Sequence, residues 1–350
     1  MDASLPHNLA EQGGLRARVS RVAAPTRSSA QRSGERTQSI DGGRLDRGRR
    51  PAYVLVTSAR DEADFIEETI KSVVAQTDPP LRWVIVSDGS TDGTDEIVSK
   101  YAEQHGWIQL ITLTNQHKRT FAAKARAFNL GWESTKGLGY DAIANVDADV
   151  SFNPDYFAFL LDQLASDASL GVVGTGFKDQ SLSYDYRFVS LEHVAGPCQL
   201  FRRKCLEDIR GYALSEFGGI DVVALLAARK NGWRTRTFPE MSYVHLREMG
   251  TAQGGALAAR SRDGEKDYRL GSHPLWELFR VVYQCLKKPY LVGGLALMTG
   301  YVSSAIGCSE RVVTPELMAL RRHEQLERLR VILGERIRAV SSLGSHVGRR

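Results

Sequence analysis

The feature that most constrains this chain is a series of short apolar runs that alternate with helix-like stretches from residue 52 onward. The apolar runs are of the buried-strand type and lie at residues 53–56, 82–86, 108–113 and 142–146. Helical periodicity follows the first three runs, over residues 62–75, 92–104 and 120–135. Strands and helices that alternate at this spacing form right-handed β-α-β units. The sequence therefore predicts an α/β fold, a Rossmann-like and mostly parallel sheet with helices on both faces.

Composition and charge exclude several other classes of protein. At 350 residues, with 42% hydrophobic and 25% charged residues, the chain resembles an average soluble globular protein. The first fifty residues hold ten arginines and five acids, which accounts for the whole net charge of +5. The remaining residues have no basic excess, so nucleic acid is not an expected partner. The four cysteines are widely spaced without a C-x-x-C pair, which favours a reducing, cytoplasmic setting over a disulfide framework or a zinc ribbon.

Changes in composition and periodicity along the sequence divide the chain into three parts. Residues 1–50 are rich in Arg, Ser and Gly without a sustained period, which predicts a disordered tail. An alternative is that this tail touches anionic lipid or a partner. Residues 51–248 contain the α/β pattern, and residues 249–350 read as a helical C-terminal extension.

Polar segments follow three of the predicted strands at the point where each strand ends. They are Ser58–Glu62, Ser87–Thr94 and Asp147–Asp149. In open α/β sheets, ligands bind beyond the carboxyl ends of the strands. These three segments are therefore the expected binding site.

Asp147 and Asp149 flank one small residue at the end of an apolar strand. Strand alternation points both carboxylates to one side, where hard oxygen ligands suit Mg²⁺ or Mn²⁺ held jointly with substrate phosphates. The alternative is an acidic turn that caps the helix starting near Pro154.

Asp88 stands directly after the second strand, in a loop with two glycines and several hydroxyl side chains. The glycines permit a tight approach, so the loop can hydrogen-bond a nucleoside. The alternative is an ordinary β-α turn whose polar side chains cap the next helix.

In this order and spacing, the segments resemble the family 2 glycosyltransferases, which have the GT-A fold. The resemblance runs from about Ala52 to His245 and includes two helix segments, Ser72–Thr77 and Ala123–Gly131. Two positions depart from the family pattern, since Asp61 replaces the usual Asn and Ser87 replaces a frequent Asp.

The resemblance implies an inverting glycosyltransferase that moves a sugar from a nucleoside diphosphate donor to a saccharide or lipid-linked acceptor, in cell-surface polysaccharide or glycolipid synthesis. It implies a donor site and a divalent metal site of Mg²⁺ or Mn²⁺. The residues implied for the donor are Ser58, Glu62, Asp88, Lys124 and Asp147. Those implied for the metal are Asp149, Asp147 and His245, although His245 is about equally well explained as a structural histidine.

An inverting transfer also needs a base for the acceptor hydroxyl. The family places it in an acidic motif that opens a helix after the metal site, and Asp221 matches that position. Ile220 stands where many members have a second acid. Glu216 is the fallback base, and a simple helix cap is the structural alternative for Asp221.

The C-terminal extension contains a stretch without charged residues at 289–308. Its length is near the roughly 20 residues that cross a bilayer, but its four glycines make it weakly apolar. Three interpretations stay open: a buried core or interface helix, a monotopic membrane segment, and a true span. Residues 317–340 read as a basic amphipathic helix. The expected location is the cytoplasm, with peripheral contact at the inner face of the cell membrane as an option.

Two other functions compete with glycosyl transfer. A sugar nucleotidyltransferase usually has a Gly-rich loop after the first strand, and Ser58–Glu62 contains no glycine. A non-catalytic, membrane-docked partner would keep the fold and bind nucleotide without turnover. The intact acids at positions 88, 147, 149 and 221 count against that second alternative.

Overall fold

The computed structural model describes residues 17–19, 50–114, 120–178, 190–247 and 255–347. Within these residues, nine strands form one sheet. They are β1 (Ala17–Val19), β2 (Tyr53–Ala59), β3 (Arg82–Ser87), β4 (Ile108–Leu113), β5 (Ala142–Val146), β6 (Val150–Ser151), β7 (Leu170–Lys178), β8 (Cys198–Arg202) and β9 (Arg234–His245).

The described helices cover the sheet and build the C-terminal extension. They are α1 (Ile66–Val74), α2 (Thr94–Gln104), α3 (Phe121–Thr135), α4 (Tyr156–Ser166), α5 (Arg203–Ile209), α6 (Ile220–Lys230), α7 (Ala256–Arg269), α8 (Pro274–Cys285), α9 (Val292–Ile306) and α10 (Pro315–Val347).

The sheet combines a parallel half with a mixed half. Its strand order is β1-β4-β3-β2-β5-β8-β7-β9-β6, and neighbours from β4 through β5 are parallel. At the centre, Leu55 lies between Trp83 and Ala144. Strand β8 then runs antiparallel to both of its neighbours, and β7 and β9 are parallel again. The predicted α/β class is confirmed, and the four strands predicted from apolar runs are the parallel ones.

Buried side chains alternate between the two faces of the sheet, as strand geometry requires. On β2, Tyr53 and Leu55 pack with α1, α2 and α4, whereas Val54 and Val56 pack with α3, α5 and α6. Burying a side chain such as Leu55 contributes about 1.5–3 kcal/mol. Both faces are therefore covered, which explains why these strands read as continuous apolar runs.

The predicted tail, residues 1–50, lies outside the described residues except for positions 17–19 and Arg50. Residues 17–19 form β1, which pairs antiparallel with β4 from Ala17 opposite Leu113. The Arg50 guanidinium donates to Asp162 at 2.7 Å. These parts of the segment thus contact the sheet and a helix.

The helical extension packs on α6 and on the residues just before it, where the Arg269 guanidinium lies over the Phe217 ring. Val223 and Leu226 of α6 contact Leu270, Val313 and Leu317 in a buried cluster. Residues 292–306 of the uncharged stretch form α9, which packs against α7 and α8. Within the described residues, no helix combines the length and hydropathy that crossing a bilayer requires.

Candidate active site

The carboxyl ends of β2, β3 and β5 meet at one edge of the sheet and bring the three polar segments together. The parallel register pairs Ala59 with Ser87, so the loops after β2 and β3 leave the sheet side by side. The Asp88 N–H then donates to the Ala59 carbonyl oxygen at 2.9 Å. Val56 pairs with Asn145, which places the Asp147–Asp149 segment beside the same edge.

Hydrogen bonds from backbone N–H groups of the loop after β2 to side chains that follow β3 hold these two loops together. The Glu62 N–H donates to Thr94 Oγ1 at 2.9 Å, and the Ala63 N–H donates to Asp92 Oδ2 at 2.9 Å. Burial raises the pKa of Asp92, but the hydrogen bonds from Thr94, from the Ala63 N–H and from its own N–H together outweigh burial and leave this pKa below its ordinary value. Asp92 therefore stabilises the turn as a carboxylate.

Asp88 differs from the turn-forming acids of its loop because its carboxylate faces a cation. Its Oδ2 lies 3.4 Å from Arg60 Nη1, and the residue is 6% exposed. A buried carboxylate beside an arginine is poised to accept hydrogen bonds from a ligand. The ordinary-turn interpretation thus accounts for Asp92, whereas nucleoside contact by Asp88 stays a prediction.

A strand from the far end of the sheet brings His245 to the acidic segment. Strand β9 pairs with β6 so that His245 lies opposite Val150, and the Leu246 N–H donates to the Asp149 carbonyl oxygen at 2.8 Å. As a result, His245 Nε2 lies 3.8 Å from Asp149 Oδ1. Both residues are nearly buried, with 8% and 9% exposure.

The hydrogen bond at the other ring nitrogen sets the tautomer of His245. Nδ1 lies 2.7 Å from the Arg247 carbonyl oxygen, which accepts hydrogen bonds and cannot donate them. Nδ1 therefore carries a proton, and Nε2 is the ring nitrogen that faces Asp149.

Two cations neutralise the acidic segment. Lys124 Nζ lies 2.6 Å from Asp147 Oδ1, and Arg247 Nε lies 3.3 Å from Asp149 Oδ2. Arg247 also forms an ion pair with Glu62, 185 residues earlier in the chain. Arg247 thus joins the acid after β2 to the acid after β5.

Burial and neighbouring charges shift two pKa values in this cluster. Burial raises the pKa of Asp149, and the Asp147 carboxylate raises it further against the lowering effects of His245, Lys124 and Arg247. Burial lowers the pKa of Lys124, but Asp147, Asp149 and Asp221 outweigh it and raise this pKa above its ordinary value. Lys124 is therefore a stable ammonium at neutral pH.

The donor atoms beside Asp149 fit a divalent cation that is shared with a ligand. Among the described residues, no group of three His, Cys, Asp or Glu side chains could hold a metal ion unaided. The 3.8 Å between Asp149 Oδ1 and His245 Nε2 suits two ligands of one ion, since each binds at roughly 2.0–2.2 Å. Mg²⁺ and Mn²⁺ commonly take their remaining ligands from phosphates and water.

Asp221 faces a pocket that also contains the Lys124–Asp147 ion pair. It lies in the first turn of α6, where the helix dipole stabilises a carboxylate. Gly196 lies beside it, and a Cβ at that position would come within 3.0 Å of Asp221 Oδ2. The lining residues are Phe121, Lys124, Asn145, Asp147, Gly196, Pro197, Tyr212, Gly219, Ile220 and Asp221.

The structure brings the predicted residues together, with different contacts for each. Ser58 Oγ donates to the Lys124 carbonyl oxygen at 3.1 Å, so Ser58 positions the start of α3. Glu216, the fallback base, is exposed and does not line the pocket.

Asn145 and Tyr212 line the pocket without having been singled out from the sequence. Asn145 is a polar residue inside an apolar strand, which is a signal that could have found it. Its Nδ2 donates to the Gly196 carbonyl oxygen at 2.8 Å, whereas its buried Oδ1 has no hydrogen-bond partner among the described residues.

Comparison with protein families identifies this part of the chain. The model of glycosyl transferase family 2 matches residues 54–218. This region is a family 2 glycosyl transferase domain. The family predicted from the motifs is thus confirmed, and the match includes Glu62, Asp88, Lys124 and the acidic segment. Asp221 and His245 lie beyond the match, so their roles depend on the geometry described above.

Curated relatives match a shorter segment. The chain is 30% identical over 113 residues to a poly-β-1,6-N-acetyl-D-glucosamine synthase of Staphylococcus aureus strain MSSA476. It is 26% identical over 113 residues to the synthase of the same name from Staphylococcus epidermidis. In both comparisons the segment covers 32% of this chain and 25% of the relative, so the match spans a quarter of these proteins' length.

A solved structure shares the fold of this glycosyl transferase domain. The mannosyltransferase PcManGT from Pyrobaculum calidifontis, in complex with GDP-Man and Mn²⁺, aligns with a TM-score of 0.53 at 21% identity. The alignment covers 83% of each chain. The predicted GT-A fold is confirmed by this likeness.

Proposed function

We propose that this protein is an inverting, metal-dependent glycosyltransferase that takes a sugar from a nucleoside diphosphate donor. The observation that carries the proposal is the pocket in which Asp221 faces the Lys124–Asp147 ion pair, beside Asp149 and His245. The proposed base and the charged residues proposed to bind the diphosphate thus lie at the same pocket. A single-displacement reaction needs the base and the diphosphate site on either side of the reacting sugar.

In the proposed step, Asp221 accepts the proton of the acceptor hydroxyl. The acceptor oxygen forms a bond to the anomeric carbon while the bond from that carbon to the diphosphate oxygen breaks. The electron pair of the broken bond leaves with the nucleoside diphosphate, which needs no proton. Attack and departure on opposite faces of the sugar invert its configuration.

The cationic side chains of the site support departure of the diphosphate. Lys124 and Arg247 supply positive charge beside the acidic segment, and Asp88 would accept hydrogen bonds from the nucleoside. Asp149 and His245 would hold the divalent cation, with Asp147 beside them. When bound, that cation neutralises the negative charge that grows on the diphosphate.

The proposed acceptor is a saccharide or a lipid-linked saccharide, used in cell-surface polysaccharide synthesis at the inner face of the cell membrane. The names of the matched synthases support a polysaccharide product, and the family match supports sugar transfer. UDP and GDP are therefore the first nucleotides to test, the second because the structural neighbour was solved with GDP-Man.

A thermal-shift screen tests the donor and metal sites together. The wild type and Asp149→Ala are heated with UDP, GDP, dTDP, CDP or ADP, each with and without Mn²⁺. A ligand that binds the folded state raises the melting temperature, and at about a hundredfold its Kd it adds about 2.7 kcal/mol of stability. We expect one nucleotide to stabilise the wild type in a Mn²⁺-dependent way, and Asp149→Ala to lose that effect.

Asp162→Ala is the matched control. Asp162 is exposed on α4 and pairs with Arg50, which precedes the amino end of β2 and so lies at the opposite edge of the sheet from the site. This variant should retain the full nucleotide effect. Nucleotide binding that survives Asp149→Ala would contradict the metal assignment. A nucleotide effect without release of nucleoside diphosphate from any sugar donor would instead favour the non-catalytic alternative.

A further inference from the structure

Exposed apolar side chains are concentrated on the α8–α9 hairpin. Of the 20 exposed large hydrophobic residues in the described part of the chain, 11 lie between residues 275 and 306. Single exposed apolar residues are normal, whereas a contiguous group marks an interaction surface. Here the spacing is helical, with Leu278 and Val282 on α8 and Leu295, Val302 and Ile306 on α9. We call this group the hairpin surface.

On helix α9 the buried residues are small except for Leu297, whereas most of the large side chains are exposed. A Cβ at Gly300 would lie 1.9 Å from the Ser261 carbonyl oxygen, and one at Gly294 would lie 2.3 Å from Cys285 Sγ. Glycine is thus required where α9 meets α7 and α8, while Ile306 on the outer side is 79% exposed. In water the large side chains should be buried. Small residues at helix contacts with large residues outside are typical of helices that pack in lipid.

Charge on the hairpin surface has one sign. Residues 274–308 contain four charged side chains, of which Glu277 is buried and Arg280 is paired with Asp267. The two exposed ones, Lys287 and Lys288, are adjacent in the connection between the helices. Among exposed positions 274–308 there is no acid, so the surface complements an anionic partner.

We propose that the hairpin surface docks on an anionic phospholipid bilayer. The helices lie in the plane of the membrane, with the outer face of α9 at the acyl boundary and Lys287 and Lys288 at the headgroups. With 12 and 15 residues, α8 and α9 are shorter than the roughly 20 residues of a spanning helix, which favours a monotopic arrangement. The purpose of this docking rests on the proposed function. Docking would bring the pocket to a lipid-linked acceptor.

A second copy of the chain is a poorer occupant of the same surface. A two-fold interface places one surface on itself, so each partner would present two lysines and no exposed acid from residues 274–308. Apolar burial favours such a dimer, but charge does not. An anionic bilayer would bury the exposed apolar side chains and attract Lys287 and Lys288.

Vesicle flotation with the full chain tests the proposal. Vesicles of phosphatidylcholine alone are compared with vesicles that also contain phosphatidylglycerol. We expect the wild type to float with the anionic vesicles, and the double variant Lys287→Ala/Lys288→Ala to bind about 30-fold more weakly. Leu295→Asn/Val302→Asn should weaken binding by about tenfold or more, because each side chain loses apolar burial in the bilayer.

Matched controls change the same residue types elsewhere on the surface. Lys100→Ala/Lys204→Ala removes two exposed lysines, and Leu81→Asn changes an apolar side chain that is 48% exposed. Both should bind vesicles like the wild type. The proposal fails if the wild type does not float, if the hairpin variants float as well as the controls, or if the wild type is a dimer that the hairpin variants dissociate without any vesicle binding.

Nucleotide thermal shifts on the same samples separate this proposal from the proposed function. If a hairpin variant no longer floats with vesicles but is still stabilised by nucleotide, the defect lies in the hairpin surface. Vesicle binding by a protein that binds no nucleotide would support docking and contradict the proposed function.

Discussion

Among the residues that the structure describes, two clusters of buried charge differ in what their carboxylates contact. The site cluster lies at the carboxyl edge of the sheet and consists of Glu62, Asp147, Asp149, Lys124 and Arg247. The extension cluster lies among α7, α8 and α10 and consists of Asp267, Glu277, Arg280 and Arg321. Both clusters remove acids from water at a cost that only their partners offset.

In the site cluster, cations neutralise the carboxylates next to an open pocket. Lys124 and Asp147 both line that pocket, so a diphosphate and its metal can take over these ion pairs. In the extension cluster, Asp267 holds Arg280 and Arg321 with 5% exposure, and Glu277 is 3% exposed. We therefore propose that the first cluster serves binding, whereas the second joins three helices.

The largest expected effect comes from the base that faces the site cluster. Asp221→Asn keeps the shape of the side chain but cannot accept the acceptor proton, so turnover should fall by about 10³-fold. Donor affinity should stay unchanged, because the proposed role of Asp221 is toward the acceptor hydroxyl and not toward the donor. Release of nucleoside diphosphate is measured with a membrane fraction as the acceptor source, and donor binding is measured by titration.

Glu216→Gln is the control, since Glu216 is the exposed neighbouring acid that does not line the pocket. It should keep wild-type turnover. An active Asp221→Asn enzyme, or an inactive Glu216→Gln enzyme, would remove the base assignment.

The next effect is on stability and concerns the extension cluster. Asp267→Asn leaves the nearly buried Arg321 and the partly exposed Arg280 without their shared carboxylate, so the free energy of unfolding should fall by about 3 kcal/mol. Urea unfolding measures this loss. Asp162→Asn is the control, because its ion pair with Arg50 is about half exposed and should contribute about 1 kcal/mol or less. Equal losses in the two variants would show that the extension cluster is not structural.

The parallel half of the sheet could be predicted because its strands are buried on both faces. The apolar run at residues 108–113 predicts a strand, and β4 has those bounds. The same reasoning predicted that the loops after β2, β3 and β5 converge, which follows from parallel strand direction. Local apolar pattern and direction were sufficient for this half.

Long-range pairings could not be predicted in the same way. No local pattern indicates that β9 returns to pair His245 with Val150, or that Arg247 contacts Glu62 across 185 residues. The uncharged stretch at 289–308 left three interpretations open, because its composition does not say which side of the helix packs inward. The glycine contacts of α9 provide that information.

The smallest expected effect is a pH dependence of stability from Glu277. Burial raises the pKa of Glu277 to about 7, against the lowering effect of Arg321 and with a further raising effect from Asp263. Neither carboxylate oxygen accepts a hydrogen bond within the described residues, and Arg280 Nη1 lies 3.7 Å away. Because the folded state binds this proton more tightly than the unfolded state, stability is greatest below about pH 4.5 for this group and is lost as pH rises through 7.

Glu277→Gln should therefore flatten part of the pH profile. The difference in unfolding free energy between wild type and variant should change by on the order of 3 kcal/mol between pH 5 and pH 8, with the wild type losing more. Urea unfolding at several pH values measures it, and the exposed Glu103→Gln variant should follow the wild type. Parallel profiles for wild type and Glu277→Gln would mean that Glu277 is compensated by Arg280, and the two clusters would then differ in location but not in how fully their acids are paired.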